Sequence, residues 1–256
     1  MHNCAKVHKY LFYFFLCPLR RMPCDIPPSS FSRNSILGHF SHFFLLLFAH
    51  VKNFPYLCTR KGLGDDMRHP NLYIIAGPNG AGKTTASFNL LPNVLHCPNF
   101  VNADEIARGL SPFAPETVSL QAGRIMLQRI EELLPQKVDF AIETTLATRS
   151  YVHLVRRAQT LGYKVHLIFF FLENEEQAIA RVAQRVSNGG HNIPEEDIRR
   201  RFKRGIYNLI HLYMPICDSV LVYNNVKTPV RLVARKKDQV SEIELIEPQM
   251  WNQLFR

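Results

Sequence analysis

The sequence has no pair of cysteines in C-x-x-C spacing and no glutamate before Glu105. Its six cysteines also lack metal-like spacing to histidine, so neither a zinc site nor a disulfide framework is indicated. No apolar run reaches the roughly 20 residues that a membrane-spanning helix needs, which argues against stable membrane insertion. We also find no internal repeat and no low-complexity linker. These absences leave a reducing, cytoplasmic setting as the expectation.

The length and the hydrophobic content of the chain are those of a globular protein. The chain has 256 residues, of which 46% are hydrophobic, and this is enough to bury a core. Its formal net charge of +10 is compatible with binding nucleic acid, but equally with binding any other polyanion, including a nucleotide. The charge alone therefore does not choose between these ligands.

Residues 1–66 differ in composition from the rest of the chain. They hold eight Lys or Arg against three acids, and two apolar clusters at 10–17 and 42–51 that lack turn-punctuated periodicity. Two interpretations stay open: a membrane-adhering or targeting leader, or upstream sequence ahead of a true start at Met67. In either case we expect residues 1–66 not to fold, and residues 67–256 to form the domain.

From Met67 onward, apolar runs alternate with helical patterns, as is typical of βαβ units on a parallel sheet. The predicted strands are 72–76, 100–102, 138–142, 164–172 and 219–223. The predicted helices are 83–91, 115–134, 148–161, 175–186 and 194–213. The sequence therefore predicts an α/β fold with three α/β/α layers, a mostly parallel five-stranded sheet, a helical lid and a small C-terminal hairpin.

Residues 77–84 read "GPNGAGKT" and match the phosphate-loop pattern G-x-x-x-x-G-K-[ST] between a predicted strand and a predicted helix. In this pattern glycines let backbone N–H groups surround phosphates, Lys83 reaches the β- and γ-phosphates, and the Thr84 hydroxyl ligates Mg²⁺. The sequence thus predicts ATP or GTP binding. The predicted nucleotide-binding residues of the loop are Gly77, Pro78, Asn79, Gly80, Ala81, Gly82, Lys83, Thr84 and Thr85.

Two further absences narrow the kind of nucleotide enzyme. A GTPase should carry N-K-x-D after a later strand, where this chain has "YNNVKTP". A transporter-type ATPase should carry an L-S-G-G-Q-like signature, and none is present. What remains is a small P-loop kinase, in which an acceptor site lies beside the phosphate loop and an arginine-bearing lid covers the phosphates.

Two acids follow predicted strands, at the edge where parallel sheets bind ligands. Asp104 is placed to accept the proton of an acceptor hydroxyl, although helix capping around Asn102 and Glu105 explains part of the same segment. Glu143, with Thr145 close behind it, is placed to hold a metal-bound water or acceptor hydroxyls. The alternative for Glu143 is a strand-end acid that faces solvent.

Five arginines flank a Gly189-Gly190 break, and they predict a lid at about residues 187–200. They are Arg181, Arg185, Arg199, Arg200 and Arg201. The alternatives are two solvated helix faces or a nucleic-acid patch. Because no aromatic residues are interleaved with these arginines, we expect nucleic acid not to be the partner.

The segments "AGPNGAGKTT", "NADEIARGL", "ETTL", "RVAQRVSNGGHNIPEEDIRRRF" and "VYNN" resemble the zeta toxin family of P-loop kinases. This resemblance implies ATP and Mg²⁺ as cofactors, UDP-N-acetylglucosamine as the acceptor and an antitoxin protein as a possible partner. It also implies catalytic roles for Lys83 and Asp104, and acceptor binding by Asp104, Glu143 and Thr145. We favour Arg185 with Arg199 or Arg200 on the phosphates. The remaining nucleotide-side candidates are Arg181, Tyr223, Asn224 and Asn225.

A second function stays open from the sequence. The positive charge and the run "RRRFKR" also suit a nucleic-acid-associated P-loop ATPase, or a polynucleotide or nucleoside kinase. Residues 1–66 carry half of the net charge, which weakens this alternative if that segment is not part of the domain.

Overall fold

The structure is a computed structural model, and it describes residues 69–227, 229–237 and 242–254. The prediction for residues 1–66 lies outside these ranges. Within them, no helix is long and apolar enough to cross a membrane.

Seven strands form one sheet in the order β2-β3-β1-β4-β5-β6-β7. The first five strands of this order run parallel, and β6 and β7 continue the sheet in antiparallel fashion. Their bounds are β1 Asn71–Ala76, β2 Asn99–Val101, β3 Phe140–Thr144, β4 Lys164–Phe171, β5 Ser219–Asn224, β6 Arg231–Lys236 and β7 Glu244–Leu245.

The five predicted parallel strands are confirmed, but the predicted sheet is two strands too narrow. The C-terminal hairpin joins the main sheet because β6 pairs with β5, whose edge would otherwise leave its N–H and C=O groups unpaired. The alternation of apolar and polar residues in "RLVARKK" predicted a hairpin. This local pattern does not show with which edge strand of the sheet the hairpin would pair.

Seven α-helices are described, together with short 3₁₀ turns at Pro115–Val118 and Leu134–Gln136 and a π-helical turn at Leu209–Tyr213. The α-helices are α1 Lys83–Asn93, α2 Ala103–Leu110, α3 Ser119–Leu133, α4 Tyr151–Thr160, α5 Glu175–Ser187, α6 Glu195–Asn208 and α7 Pro248–Gln253. No sequence pattern predicted α7, and α2 was indicated only through the capping alternative at Asn102 and Glu105, since each helix is too short to show a long periodic pattern.

The core lies on both faces of the sheet. Leu72 and Ile74 of β1 belong to one buried cluster, whereas Tyr73 and Ile75 belong to the other. In β4 every residue after Lys164 is buried, as expected for a central strand that helices cover on both sides. Because β1 and β3 are parallel neighbours, their carboxyl ends lie together, and the residues that follow them meet at one edge of the sheet.

Candidate active site

The loop between β1 and α1 adopts a backbone that requires glycine. Gly77 has φ 143°, and a Cβ atom there would lie 2.1 Å from the carbonyl oxygen of Phe170. Gly82 precedes α1 in the left-handed region, with φ 79°. These glycines let the chain turn directly from the sheet into the helix, so that backbone N–H groups at the amino end of α1 are available to an anion.

Lys83 is buried at the start of α1, with 8% of its surface exposed, and its Nζ donates a 2.9 Å hydrogen bond to the carbonyl oxygen of Pro78. Burial lowers the pKa of Lys83, and the neighbouring Glu143 carboxylate opposes this effect. Asn79 is also buried, and its Oδ1 has no hydrogen-bond partner among the described residues. An anion beside Nζ would favour the charged form of this lysine.

Glu143, at the end of β3, links the phosphate loop to the next strand. Its Oε1 accepts a 2.8 Å hydrogen bond from the Thr84 hydroxyl, and its Oε2 accepts a 3.0 Å bond from Nδ2 of Asn102. Burial raises the pKa of Glu143, while the Lys83 ammonium and the Thr84 hydrogen bond lower it. The side chain is therefore not a strand-end acid that faces solvent.

The Thr84 and Glu143 oxygens fit a magnesium ion. Hard oxygen donors are the ligands that Mg²⁺ takes, and P-loop enzymes pair the loop hydroxyl with an acid at the end of a nearby strand. The 2.8 Å contact places these two groups side by side. Sequence reasoning named Thr84 as a metal ligand and left a metal-bound water open as one role for Glu143.

Asp104 lies in the first turn of α2 and is exposed. Its backbone N–H donates a 2.9 Å hydrogen bond to Oδ1 of Asn102, which caps the helix. The capping alternative thus holds for Asn102, whereas Glu105 instead forms an ion pair with Arg108 at 3.1 Å. The Asp104 carboxylate has no hydrogen-bond partner among the described residues, and its charge acts on Lys83.

Thr145 lies in a tightly held turn after β3. The next residue, Leu146, has φ 62° although it is not glycine, which is an uncommon backbone conformation. Thr144 Oγ1 accepts a hydrogen bond from the Leu146 N–H, and Asn208 of α6 donates one to the Leu146 carbonyl. Gly205 lies against the Thr145 carbonyl, where a Cβ atom would approach to 2.7 Å. These contacts fix the position of Thr145 relative to Glu143.

The lid arginines fall into two groups. The charges of Arg185 and Arg201 act on Lys83, so both side chains lie near the phosphate loop. Arg201 also forms a 4.0 Å ion pair with Asp197. Arg185 donates a 2.7 Å hydrogen bond to the carbonyl of His191, and its Nε is buried without a partner among the described residues. Gly190 permits this arrangement, because a Cβ there would lie 2.5 Å from Cγ of Arg185.

Arg199 and Arg200 form shorter ion pairs with acids than Arg201 does. Arg199 forms ion pairs with Glu176 at 2.7 Å, Glu195 at 2.7 Å and Glu175 at 3.3 Å. Arg200 pairs with Asp197 at 2.5 Å. Hydrogen bonds from Arg199 to Glu176 and Glu195 raise the pKa of Arg199 above its usual value. The sequence favoured Arg199 or Arg200 on the phosphates, and these roles stay predictions; the structure adds Arg201, whose charge acts on Lys83, as a further candidate. Helical spacing is the sequence signal for Arg201, because it shares a face of α6 with the buried Ile198 and Gly205.

Arg181 and Asn225 form a clamp on the outside of the phosphate loop. Arg181 NH2 donates to the carbonyls of Asn225 at 2.7 Å and Val226 at 2.9 Å, and its NH1 reaches the Gly80 carbonyl at 3.5 Å. Asn225 Nδ2 donates to the Ala81 carbonyl at 2.8 Å. These hydrogen bonds hold the carbonyl groups of the phosphate loop on its outer side. The N–H groups of the loop are then free to meet phosphates on the other side.

The remaining nucleotide-side candidates from the sequence are Tyr223, Asn224 and Thr85. Tyr223 is buried and its ring stacks on Phe170 at 5.6 Å between centroids, so its side chain belongs to the core. Asn224 is also buried, and its Oδ1 accepts a 2.7 Å bond from the Val226 N–H. Thr85 is exposed on the first turn of α1. Roles for these three residues in nucleotide binding stay predictions.

Arg181→Ala is expected to weaken ATP binding about tenfold or more, with a smaller change in kcat. The reason is that three carbonyls lose a charged donor worth about 1.5–3 kcal/mol per hydrogen bond, so the loop is held less firmly. The dissociation constant for ATP and kcat, measured separately, check this. Arg129→Ala, which removes an exposed arginine of α3, is the control and should change neither. A loss confined to kcat would contradict the clamp.

A protein-family model and a related protein sequence both match this chain. The family model described as "Zeta toxin" matches residues 57–230. An uncharacterised protein of Haemophilus influenzae is 31% identical over 127 residues, which cover 49% of this chain and 88% of that protein.

Solved structures show the same fold. The AvrRxo1-ORF1:AvrRxo1-ORF2 complex, solved with sulphate ions, matches with a TM-score of 0.60 and 16% identity over 83% of this chain and 71% of that chain. A structure from the PezAT chromosomal toxin-antitoxin system of Streptococcus pneumoniae matches with a TM-score of 0.51 and 17% identity over 89% and 96% of the two chains. The family match covers well over half of the sequence and includes the phosphate loop, both acids and the lid arginines. The chain belongs to the zeta toxin family of P-loop kinases.

Proposed function

We propose that this protein transfers the γ-phosphoryl group of ATP to a hydroxyl group of a small molecule, with UDP-N-acetylglucosamine as the best candidate acceptor. The observation that carries the proposal is the meeting of Lys83, the Thr84–Glu143 pair and the unpartnered carboxylate of Asp104 at one edge of the sheet. A site that only bound ATP would have no use for a free carboxylate beside the phosphate loop. The AvrRxo1-ORF1:ORF2 complex, which shares the fold at a TM-score of 0.59, has been solved with ATP.

Each residue has a defined part in this reaction. Lys83 and the N–H groups at the start of α1 bind the β- and γ-phosphates. Thr84 and Glu143 would hold Mg²⁺, which when bound neutralises charge on the phosphate oxygens. Glu143 keeps the Thr84 hydroxyl oriented through the 2.8 Å bond, and Asn102 in turn orients Glu143.

Asp104 acts on the acceptor. Its exposed carboxylate accepts the proton of the acceptor hydroxyl as the bond to phosphorus forms. Thr145, held by the Leu146 turn and by α6, binds the acceptor in this proposal. Arg185 and Arg201 then stabilise the negative charge that grows on the transferred group and on the leaving oxygen.

An antitoxin partner is part of the proposal. The PezAT protein comes from a toxin-antitoxin system, and the AvrRxo1-ORF1 structures contain a second protein, ORF2. We infer that this chain is also neutralised by a second protein, and that it acts in the cytoplasm, where ATP and nucleotide sugars are present.

Mass spectrometry after incubation with Mg²⁺-ATP tests the proposed acceptor. The panel contains nucleotide sugars, nucleosides and oligonucleotides. We expect UDP-N-acetylglucosamine to gain the mass of one phosphoryl group, and the Lys83→Ala variant to give no product. Phosphorylation of an oligonucleotide or a nucleoside, with no change in any nucleotide sugar, would replace this acceptor with the alternative one.

A further inference from the structure

A cavity of about 750 Å³ lies between the residues that follow β3 and the C-terminal half of α6. This volume is within the range of ligand-binding pockets. Three of its lining residues are cationic and none is acidic. The lining residues are Ala147, Thr148, Arg149, Lys203, Arg204, Tyr207 and Asn208.

The cations of this cavity are available to an anion. Arg149 and Arg204 are exposed, and neither side chain has an ion pair or hydrogen bond with any described residue. Lys203 contacts Glu175 at 3.4 Å, but its side chain is 75% exposed and this single contact leaves its other N–H donors open. The wall formed by α6 and the wall formed by residues 147–149 therefore both present positive charge to the space between them.

An aromatic side chain lies beside these cations. Tyr207 is 53% exposed, and its ring contacts the His211 ring at 4.4 Å between centroids. Tyr207 follows Lys203 by four residues and Arg204 by three, so all three lie on neighbouring parts of one helix face. An exposed aromatic ring next to cationic groups is the arrangement on which unpaired bases stack while phosphates pair with the cations.

The surface is longer than one nucleotide. From Lys203 to Tyr207 the helix α6 rises about 6 Å at 1.5 Å per residue. Bases on one strand of a duplex are about 3.4 Å apart along its axis. Lys203, Arg204 and Tyr207 thus extend over about two nucleotides, and Arg149 adds a cation from the other wall of the cavity.

We propose that the surface formed by Arg149, Lys203, Arg204 and Tyr207 binds single-stranded nucleic acid. Phosphates pair with Arg149, Lys203 and Arg204, and a base stacks on Tyr207. The sequence argued against nucleic acid because no aromatic residues are interleaved with the five lid arginines. The aromatic ring is present one helical turn later, and folding brings Arg149 from another element to the same cavity. This binding requires neither ATP nor an acceptor, so it is independent of the proposed kinase reaction.

Fluorescence anisotropy of the full chain with labelled oligo-dT and oligo-U of about 12 nucleotides, a length within known site sizes, tests this proposal without ATP. We expect affinity to fall as salt rises. Arg204→Gln should lower affinity and reduce the slope of log affinity against log salt by about 0.7, as for one phosphate contact on a single strand. Tyr207→Ala should lower affinity by about five- to 150-fold with the slope unchanged, and Tyr207→Phe should retain binding.

Arg129→Gln on α3 is the matched control and should leave affinity and slope unchanged. Circular dichroism of each variant verifies that a loss of binding does not come from unfolding. Three results would overturn the proposal: no salt-sensitive binding, binding that Tyr207→Ala leaves intact, or displacement of the oligonucleotide by UDP-N-acetylglucosamine. Phosphoryl transfer by Tyr207→Ala, assayed in parallel, shows whether the kinase reaction stands when this site fails.

Discussion

Arg185→Ala is expected to lower kcat for phosphoryl transfer by a factor on the order of 10³, while ATP affinity changes much less. Arg185 is positioned by its bond to the His191 carbonyl, and its charge acts on Lys83, so it lies near the place where Lys83 would bind the γ-phosphate. An arginine in this position stabilises charge that develops only as the phosphoryl group moves. Steady-state kcat and a separately measured dissociation constant for ATP distinguish the two effects.

The other lid arginines provide the matched series. Arg201→Ala should resemble Arg185→Ala, because both charges act on Lys83. Arg199→Ala and Arg200→Ala should have smaller effects on kcat if these residues keep the ion pairs with Glu176, Glu195 and Asp197 during turnover. Equal losses of ATP affinity and turnover in Arg185→Ala would instead make this residue a ground-state phosphate ligand.

Asp104→Asn is expected to lower kcat by about 10²-fold or more, as the loss of a general base does. Asparagine preserves the size of the side chain and leaves the backbone N–H bond to Asn102 in place, so α2 should still form. Acceptor phosphorylation is the measured quantity, and thermal unfolding verifies the fold.

Glu105→Gln is the control for Asp104→Asn. Glu105 is the next residue of the same helix turn and pairs with Arg108, so its loss should leave kcat nearly unchanged. If Asp104→Asn retains acceptor phosphorylation within tenfold of the wild-type chain, Asp104 is not the base. Equal effects of both substitutions would show that the helix terminus, rather than one carboxylate, matters.

The parallel sheet and the phosphate loop were predictable because their signals are local. Strand β4 reads as a nearly all-apolar run, and Gly77 and Gly82 lie at positions with positive φ, which residues with side chains rarely adopt. The pairing of β6 with β5 was not predictable from the sequence. It depends on which edge strand of the sheet still has unpaired backbone groups after the helices have packed.

The site was predictable only in part. Strand order brings Glu143 next to Thr84, but the sequence does not show that Asn102 both caps α2 and orients Glu143. The choice among the lid arginines depends on the rotation of α6, which is set by the packing of Ile198 and Phe202 against the core. Acids on α5 and in the first turn of α6 then engage Arg199 and Arg200, and those pairings are evident only after folding.

The fate of the γ-phosphate tests the central claim most directly. The chain is incubated with Mg²⁺ and ATP labelled in its γ-phosphate, with and without UDP-N-acetylglucosamine, and the label is followed into acceptor and inorganic phosphate. The account predicts that the wild-type chain places the label on the acceptor, that Asp104→Asn does so at least 10²-fold more slowly, and that little inorganic phosphate forms. Label that appears only as inorganic phosphate, at the same rate with every acceptor tested, would show an ATPase and contradict the assignment of a kinase.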